Sequence, residues 1–295
     1  MNYAYYPGCS LLGSATEYAR SSEAVLRALG VGLDEVEDWV CCGATAAHAT
    51  SHLLSLALPA ISCVAAEKKG LDVLTCCTAC YSRLKQACHD LKENAELRGK
   101  INEIIEEDFN ANVRVLHVAE VLAGEIGLNA IAERVTKPLT GLKVACYYGC
   151  LMARLPEELR IDNQEYPMML DYLMRAAGAV AVDWPCKTEC CGAALTLARP
   201  QTVVRLSGDI IRMAKENGAD VIAVACPLCQ ANLDMYQSDA EGKTGKQLGI
   251  PVLYFTQLLG LALGLEHRRL CLDKLIVDPI PVLAGRGIVR GGVYL

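Results

Sequence analysis

Short apolar runs alternate with longer amphipathic stretches along the chain, and the order of alternation is the same in both halves. Met1 to Pro7 reads as a buried strand ending at Gly8-Cys9, with Cys9 in the loop at its carboxyl end. From Glu17 to Gly30 the spacing of Tyr18, Ala19, Ser22, Val25, Leu26 and Leu29 is helical, and Gly30 terminates it. A short second strand is expected to run into Asp38-Trp39-Val40 and deliver Cys41-Cys42-Gly43. Ala46 to Lys69 then carries a long helical pattern, kinked at Pro59. After Gly70, Leu71-Asp72-Val73-Leu74-Thr75 reads as a buried parallel strand opening onto Cys77-x-x-Cys80, which begins another helix through Leu84, Ala87 and Leu91. The polar stretch Glu93 to Asn112 reads as an exposed helical extension, Val113 to Leu116 as a strand, and Glu120 to Gly127 as a helix.

The second half repeats this order with other residues. Leu142-Lys143-Val144-Ala145 is its entering strand, and Tyr147-Tyr148-Gly149-Cys150 stands where the first half has Tyr5-Tyr6-Pro7-Gly8-Cys9. Tyr166 to Ala177 is helical, Val180 to Trp184 matches the strand ending at Trp39, and the only two tryptophans thus hold equivalent positions. Val221-Ile222 parallels Val73-Leu74, and Val252-Leu253-Tyr254 parallels Val115-Leu116-His117. Strands alternating with helices predict an α/β fold with mainly parallel sheets and a pseudo-twofold relation between halves. The expected divisions are 1–138, 139–269 and an extended C-terminal tail over 270–295. Ligands of such sheets gather at the carboxyl ends of the strands.

Composition narrows the class. The 295 residues are 53% hydrophobic and 21% charged, enough for a full core, and the formal net charge of -6 argues against a nucleic-acid partner. No run approaches the apolar length of a membrane span, and the opening residues lack the pattern of a secretory leader, so a cytoplasmic protein is expected. Sixteen cysteines are hard to reconcile with structural disulfides in a chain of this kind, and point to metal, iron-sulfur or redox chemistry.

Ten of them form a repeated framework. Cys9 precedes Cys41-Cys42-Gly43 by 31 residues, and Cys77-x-x-Cys80 follows after 33; Cys150 precedes Cys190-Cys191-Gly192 by 39, and Cys226-x-x-Cys229 again follows after 33. Five thiolates exceed what tetrahedral zinc takes, and the usual ferredoxin run is absent. Soft thiolates in that number suit iron-sulfur chemistry, although zinc held by four of the first five is the simpler alternative. A Cys-x-x-Cys at a helix start gains further from the free amide groups there, which favour thiolate.

The doubled pattern resembles the CCG-domain family, and two such domains filling most of a chain of this size resemble the B subunits of heterodisulfide reductases; the likeness covers residues 1 to 265. The resemblance implies two tandem CCG domains, each holding one non-cubane 4Fe-4S cluster. Cys9, Cys41, Cys42, Cys77 and Cys80 would bind the first, and Cys150, Cys190, Cys191, Cys226 and Cys229 the second. It further implies a thiol/disulfide oxidoreductase that cleaves, or forms in reverse, a disulfide such as CoM-S-S-CoB between two facing clusters. Its partners would be a ferredoxin-like iron-sulfur subunit fed by a flavin-bearing subunit, with the C-terminal tail as a candidate contact. Other CCG chains pass electrons from a dehydrogenase towards quinone, which is the alternative function; a zinc-binding assembly module is the third.

Residues outside the framework receive plainer readings. Lys187, beside the second pair, is a candidate to meet an anionic substrate group or steady thiolates, against an ordinary surface lysine. Cys63, Cys76, Cys88 and Cys271 read as small buried hydrophobes, while Cys146 and Cys186 flank the second set. His48, His52, His89, His117 and His267 are isolated; His117 is simplest as a polar residue at a strand end. Gly285 to Gly292 has no phosphate-loop pattern.

Overall fold

Two four-stranded parallel sheets carry the framework, and their strand orders correspond one to one. In the computed structural model, which describes residues 1–44, 46–245 and 247–290, the first sheet runs β2 (Gly32–Glu35), β1 (Asn2–Tyr6), β3 (Val73–Thr75), β4 (Val115–His117). The second runs β6 (Val180–Ala181), β5 (Lys143–Tyr147), β7 (Val221–Val224), β8 (Val252–Tyr254). Every pairing is parallel, with Ala4 opposite Val73 and Val73 opposite Val115 in one sheet, and Ala145 opposite Ile222 and Ile222 opposite Val252 in the other. Central strands covered on both faces must be apolar throughout, and β3 and β7 are buried at every residue. The fold is therefore α/β, two helix-flanked copies of one unit.

Several elements differ from the sequence expectation. Cys9 lies not in a loop but in a short helix, Gly8–Leu12, directly after β1. The strand expected to end at Val40 lies earlier: residues 2 to 5 pair with 32 to 35, and Asp38, at φ 48°, adopts a left-handed conformation that breaks a ladder. Its counterpart keeps only Val180–Ala181. The pattern Ala46 to Lys69 splits into Ala46–Thr50 and His52–Lys68, because Ser51 is extended and its hydroxyl accepts from the Leu54 amide as an N-cap. Pro59 sits inside the second of these helices. The polar stretch after Glu93 begins a separate helix, Ala95–Ile105, capped by Asn94.

The C-terminal segment is folded rather than extended. Short helices at Leu272–Lys274 and Ile280–Gly285 bury Leu270, Leu272 and Leu283. Gln257 donates to the Leu270 carbonyl at 2.9 Å, and the buried Asp234 carboxylate accepts from the amides of Ile276 and Val277 at 2.8 and 3.1 Å. The last part of the glycine-rich stretch, residues 291–295, lies outside the described residues.

The two units meet along a buried seam. The Tyr18 ring stacks on Tyr254 with centroids 4.0 Å apart and planes 5° from parallel, and its hydroxyl donates to the Ala225 carbonyl at 3.2 Å. Ser21 and Thr256 share a hydrogen bond of 2.8 Å. His117, fully buried, caps the helical turn after β4: Nδ1 accepts from the Ala119 amide at 3.1 Å, which leaves Nε2 to donate to the Cys76 carbonyl at 2.7 Å. Burial, the main cause, pushes its pKa down to about 4.

Candidate functional site

Each set of five cysteines is collected by three segments that leave the same end of one sheet. In the first unit, Cys9 follows β1, Cys41 and Cys42 occupy irregular chain before the helix Ala46–Thr50, and Cys77 is the N-cap of the helix Thr78–Glu93, whose first turn carries Cys80. The sulfurs of Cys42 and Cys80 stand 3.4 Å apart. Cys42 and Cys9 also act electrostatically on Cys41, and Cys77 on Cys80, so the five thiols are neighbours. In the second unit the sulfurs of Cys191 and Cys229 stand 3.7 Å apart, burial and then Cys190 raise Cys150, and Cys191 and Cys226 raise Cys229.

Matching struts hold both sets. The Tyr6 hydroxyl donates to the Val40 carbonyl at 2.7 Å, and the Tyr147 hydroxyl to the Glu189 carbonyl at 2.6 Å, each fixing the residue just before a Cys-Cys pair. Trp39 packs edge-on against Tyr6 and Trp184 tilts against Tyr147, with centroids 5.5 and 6.3 Å apart. Gly8 and Gly149 have φ of 68° and 67°, and a Cβ on them would lie 3.0 Å from the Cys80 sulfur and 2.9 Å from the Cys229 sulfur. Only glycine allows a backbone turn that close to sulfur.

The thiols are electrostatically unequal. The Cys80 contact draws Cys42 down to about 7 and raises Cys80 itself. Cys226 is held at about 6, first by the Cys229 thiol, then by the Thr78 hydroxyl and the amides of Leu228 and Cys229 at the helix start. Thr78 belongs to the other unit's Cys-x-x-Cys. Both residues line one cavity, so the two motifs approach each other across the seam.

A cavity of about 390 Å³ opens at that meeting point. Thr78, Ala79 and Arg83 of the first unit face all five cysteines of the second, and Leu151, Leu197 and Leu228 complete an apolar rim. Among the described residues no three His, Cys, Asp or Glu side chains surround one point as a single-ion site requires. Five neighbouring soft donors in each unit, with glycines where a Cβ would press on sulfur, fit a polynuclear iron-sulfur group better than one zinc ion.

Lys187 is not a surface residue. It is 1% exposed, and its Nζ pairs with Asp171 at 2.8 Å, donates to the Pro167 carbonyl at 3.2 Å and lies 4.1 Å from the Tyr166 ring centre. The Tyr148 hydroxyl donates to the other Asp171 oxygen at 2.7 Å, and the Lys187 carbonyl accepts from the amides of Tyr148 and Gly149. Lys187 thus braces the segment leading to Cys150. Cys146 is buried with its carbonyl bound by Trp184, Cys186 is half-buried, and Cys63 and Cys88 are both buried. Sequence reasoning missed Arg83, Thr78 and Asp171. The first two carried a signal, standing at fixed steps from Cys77 and Cys80; Asp171 carried none.

Comparison with known proteins agrees with this geometry. The family model of the CCG cysteine-rich domain matches residues 3–85 and again residues 144–234. The chain belongs to the CCG family. Over 284 residues it is 31% identical to the B subunit of the ferredoxin:CoB-CoM heterodisulfide reductase of Methanosarcina mazei, covering 94% of each chain. It is 33% identical over 279 residues to the 8-methylmenaquinol:fumarate reductase membrane anchor subunit of Wolinella succinogenes, covering 94% of this CCG chain and 97% of that one. A crystal structure of a hypothetical protein from Helicobacter pylori superposes with a TM-score of 0.75 at 14% identity, covering 94% of this chain and 52% of that one, a likeness of fold.

Proposed function

We propose that this CCG chain is the iron-sulfur subunit of a heterodisulfide reductase-type complex. Each quintet, Cys9, Cys41, Cys42, Cys77, Cys80 and Cys150, Cys190, Cys191, Cys226, Cys229, would hold a non-cubane 4Fe-4S cluster. The reaction is RS–SR′ + 2 e⁻ + 2 H⁺ → RSH + R′SH, or its reverse, with electrons from a ferredoxin-like subunit fed by a flavin-bearing one. Bound clusters would supply one-electron transfer beside the substrate sulfurs. The carrying observation is a single cavity lined by all five cysteines of the second set and, from the first unit, by Thr78 and Ala79 of its Cys-x-x-Cys and by Arg83. A disulfide held there would lie against the second cluster site and beside the helix that carries Cys80, and the apolar rim of Leu151, Leu197 and Leu228 limits water there.

Anaerobic iron and acid-labile sulfide counts, then EPR of the reduced protein with and without disulfides, test the reading. Iron and sulfide in both halves with a disulfide-dependent spectrum are expected. Zinc without iron would select the assembly module, and a spectrum unmoved by every candidate disulfide would count against reduction.

The second reading, electron transfer towards quinone, is favoured by the likeness to a subunit named for menaquinol:fumarate reductase and by the apolar cavity. Among the described residues no helix is long and apolar enough to cross a membrane. A spectral response to a quinol analogue and none to disulfides would select this reading.

A further inference from the structure

The two Cys-x-x-Cys helices do not meet the cavity alike. Counting from the Cys-x-x-Cys motifs, Cys77-x-x-Cys80-x-x-Arg83 corresponds to Cys226-x-x-Cys229-x-x-Asn232. Three residues on from a cysteine is one helical turn, so each of these side chains sits over the same face as its cysteine. Asn232 is buried and fully engaged: its amide nitrogen donates to the Cys191 carbonyl at 3.2 Å and approaches the Cys191 sulfur at 3.7 Å. Arg83, in the same place in the first unit, lines the cavity instead. Among the described lining residues it is the one Lys, Arg, Asp or Glu.

Its guanidinium has no matching anion. Among the described residues no carboxylate lies within ion-pair distance of Arg83, whereas the other half-buried basic side chain of that helix, Lys85, is paired with Glu120 at 3.3 Å. A half-buried guanidinium facing an apolar space without a carboxylate leaves several N–H donors in a fork that matches an oxyanion.

Resting on the reading of this cavity as the disulfide site, we infer that Arg83 is its specificity-determining residue. It binds an anionic group, carboxylate, sulfonate or phosphate, on one arm of the disulfide. Among the described lining residues there is no second cation, so one acidic arm is matched at Arg83 and the rest of the substrate lies against the apolar rim and the second cysteine set.

The test uses the reconstituted full chain and two probes of similar size, 3,3′-dithiodipropionate, which is anionic, and 2-hydroxyethyl disulfide, which is neutral. Affinity is read from the titrated spectral change. Wild type is expected to prefer the anionic probe, and Arg83→Gln to lose on the order of ten- to a hundredfold for that probe alone. Arg83→Lys, tested alongside with iron content checked for both variants, should retain part of the preference. If Arg83→Gln fails to hold iron, the wild-type salt dependence decides: rising chloride should weaken the anionic probe and leave the neutral one unchanged. Equal losses for both probes, or a preference that survives Arg83→Gln, would overturn the assignment while leaving disulfide binding intact. No response of wild type to either probe would remove the disulfide reading and this assignment with it.

Discussion

The Tyr147 hydroxyl donates to the Glu189 carbonyl at 2.6 Å, one residue before the second Cys-Cys pair, and Tyr6 makes the same bond to Val40 in the other unit. The duplication has thus kept a strut that neither cysteine spacing nor hydrophobic period encodes. Removing one phenol leaves a partly buried carbonyl without its donor. Tyr147→Phe and Tyr6→Phe are each expected to cost about 1–2 kcal/mol in urea unfolding and to lower iron retention in the matching half. A loss confined to the opposite half would contradict the strut.

Gly8 and Gly149 are expected to tolerate no side chain. Their φ lies in the left-handed region, and the nearest sulfur sits 3.0 or 2.9 Å from an added Cβ. Gly8→Ala should displace Cys80, and Gly149→Ala Cys229, and either should cost about 1 kcal/mol or more in backbone strain alone. Iron and sulfide per chain falling by about half in each variant would bear this out; full loading in both would not.

The buried Lys187–Asp171 pair should behave asymmetrically under mutation. Lys187→Met strands a carboxylate inside the protein and is expected to cost about 3–5 kcal/mol, whereas Lys187→Met with Asp171→Leu should recover much of that. Denaturant midpoints of the single and double variants decide it. A double variant as unstable as the single would mean the pair is bound to its surroundings more than to each other.

His117 makes folding acid-sensitive. Its folded pKa of about 4 lies below the ordinary 6.5, so between those values the unfolded chain takes up a proton that the folded chain refuses. Its contribution is complete above about pH 6.5 and is lost as pH falls towards 4, by at most about 3 kcal/mol. Urea midpoints from pH 7 to 4.5 should fall more steeply for wild type than for His117→Gln. Parallel curves would show that the imidazole titrates alike in the folded and unfolded states.

The parallel sheets, the doubled order and the ten-cysteine framework were all legible, because burial period and cysteine spacing are local facts. Cys77 and Cys226 were readable as helix-start residues for the same reason. What escaped depended on contacts distant in sequence. Lys187 reads as a surface lysine until the helix Met169–Ala176 brings Asp171 against it, and no spacing rule links positions 171 and 187. The bounds of a strand and of a helix failed where a single residue, Asp38 in the one and Ser51 in the other, chose a conformation that the apolar pattern does not record. Arg83 had its signal in the comparison of the two Cys-x-x-Cys helices, where a cation in one copy answers an amide in the other.

Tyr18 rests on Tyr254, and the residue that answers Tyr254 in the first copy is His117. A homodimer of the first half would therefore set a phenol against an imidazole where the fused chain closes on two stacked rings. Whatever single ancestor was copied, its descendants have diverged into a left and a right hand, and heredity can no longer exchange them.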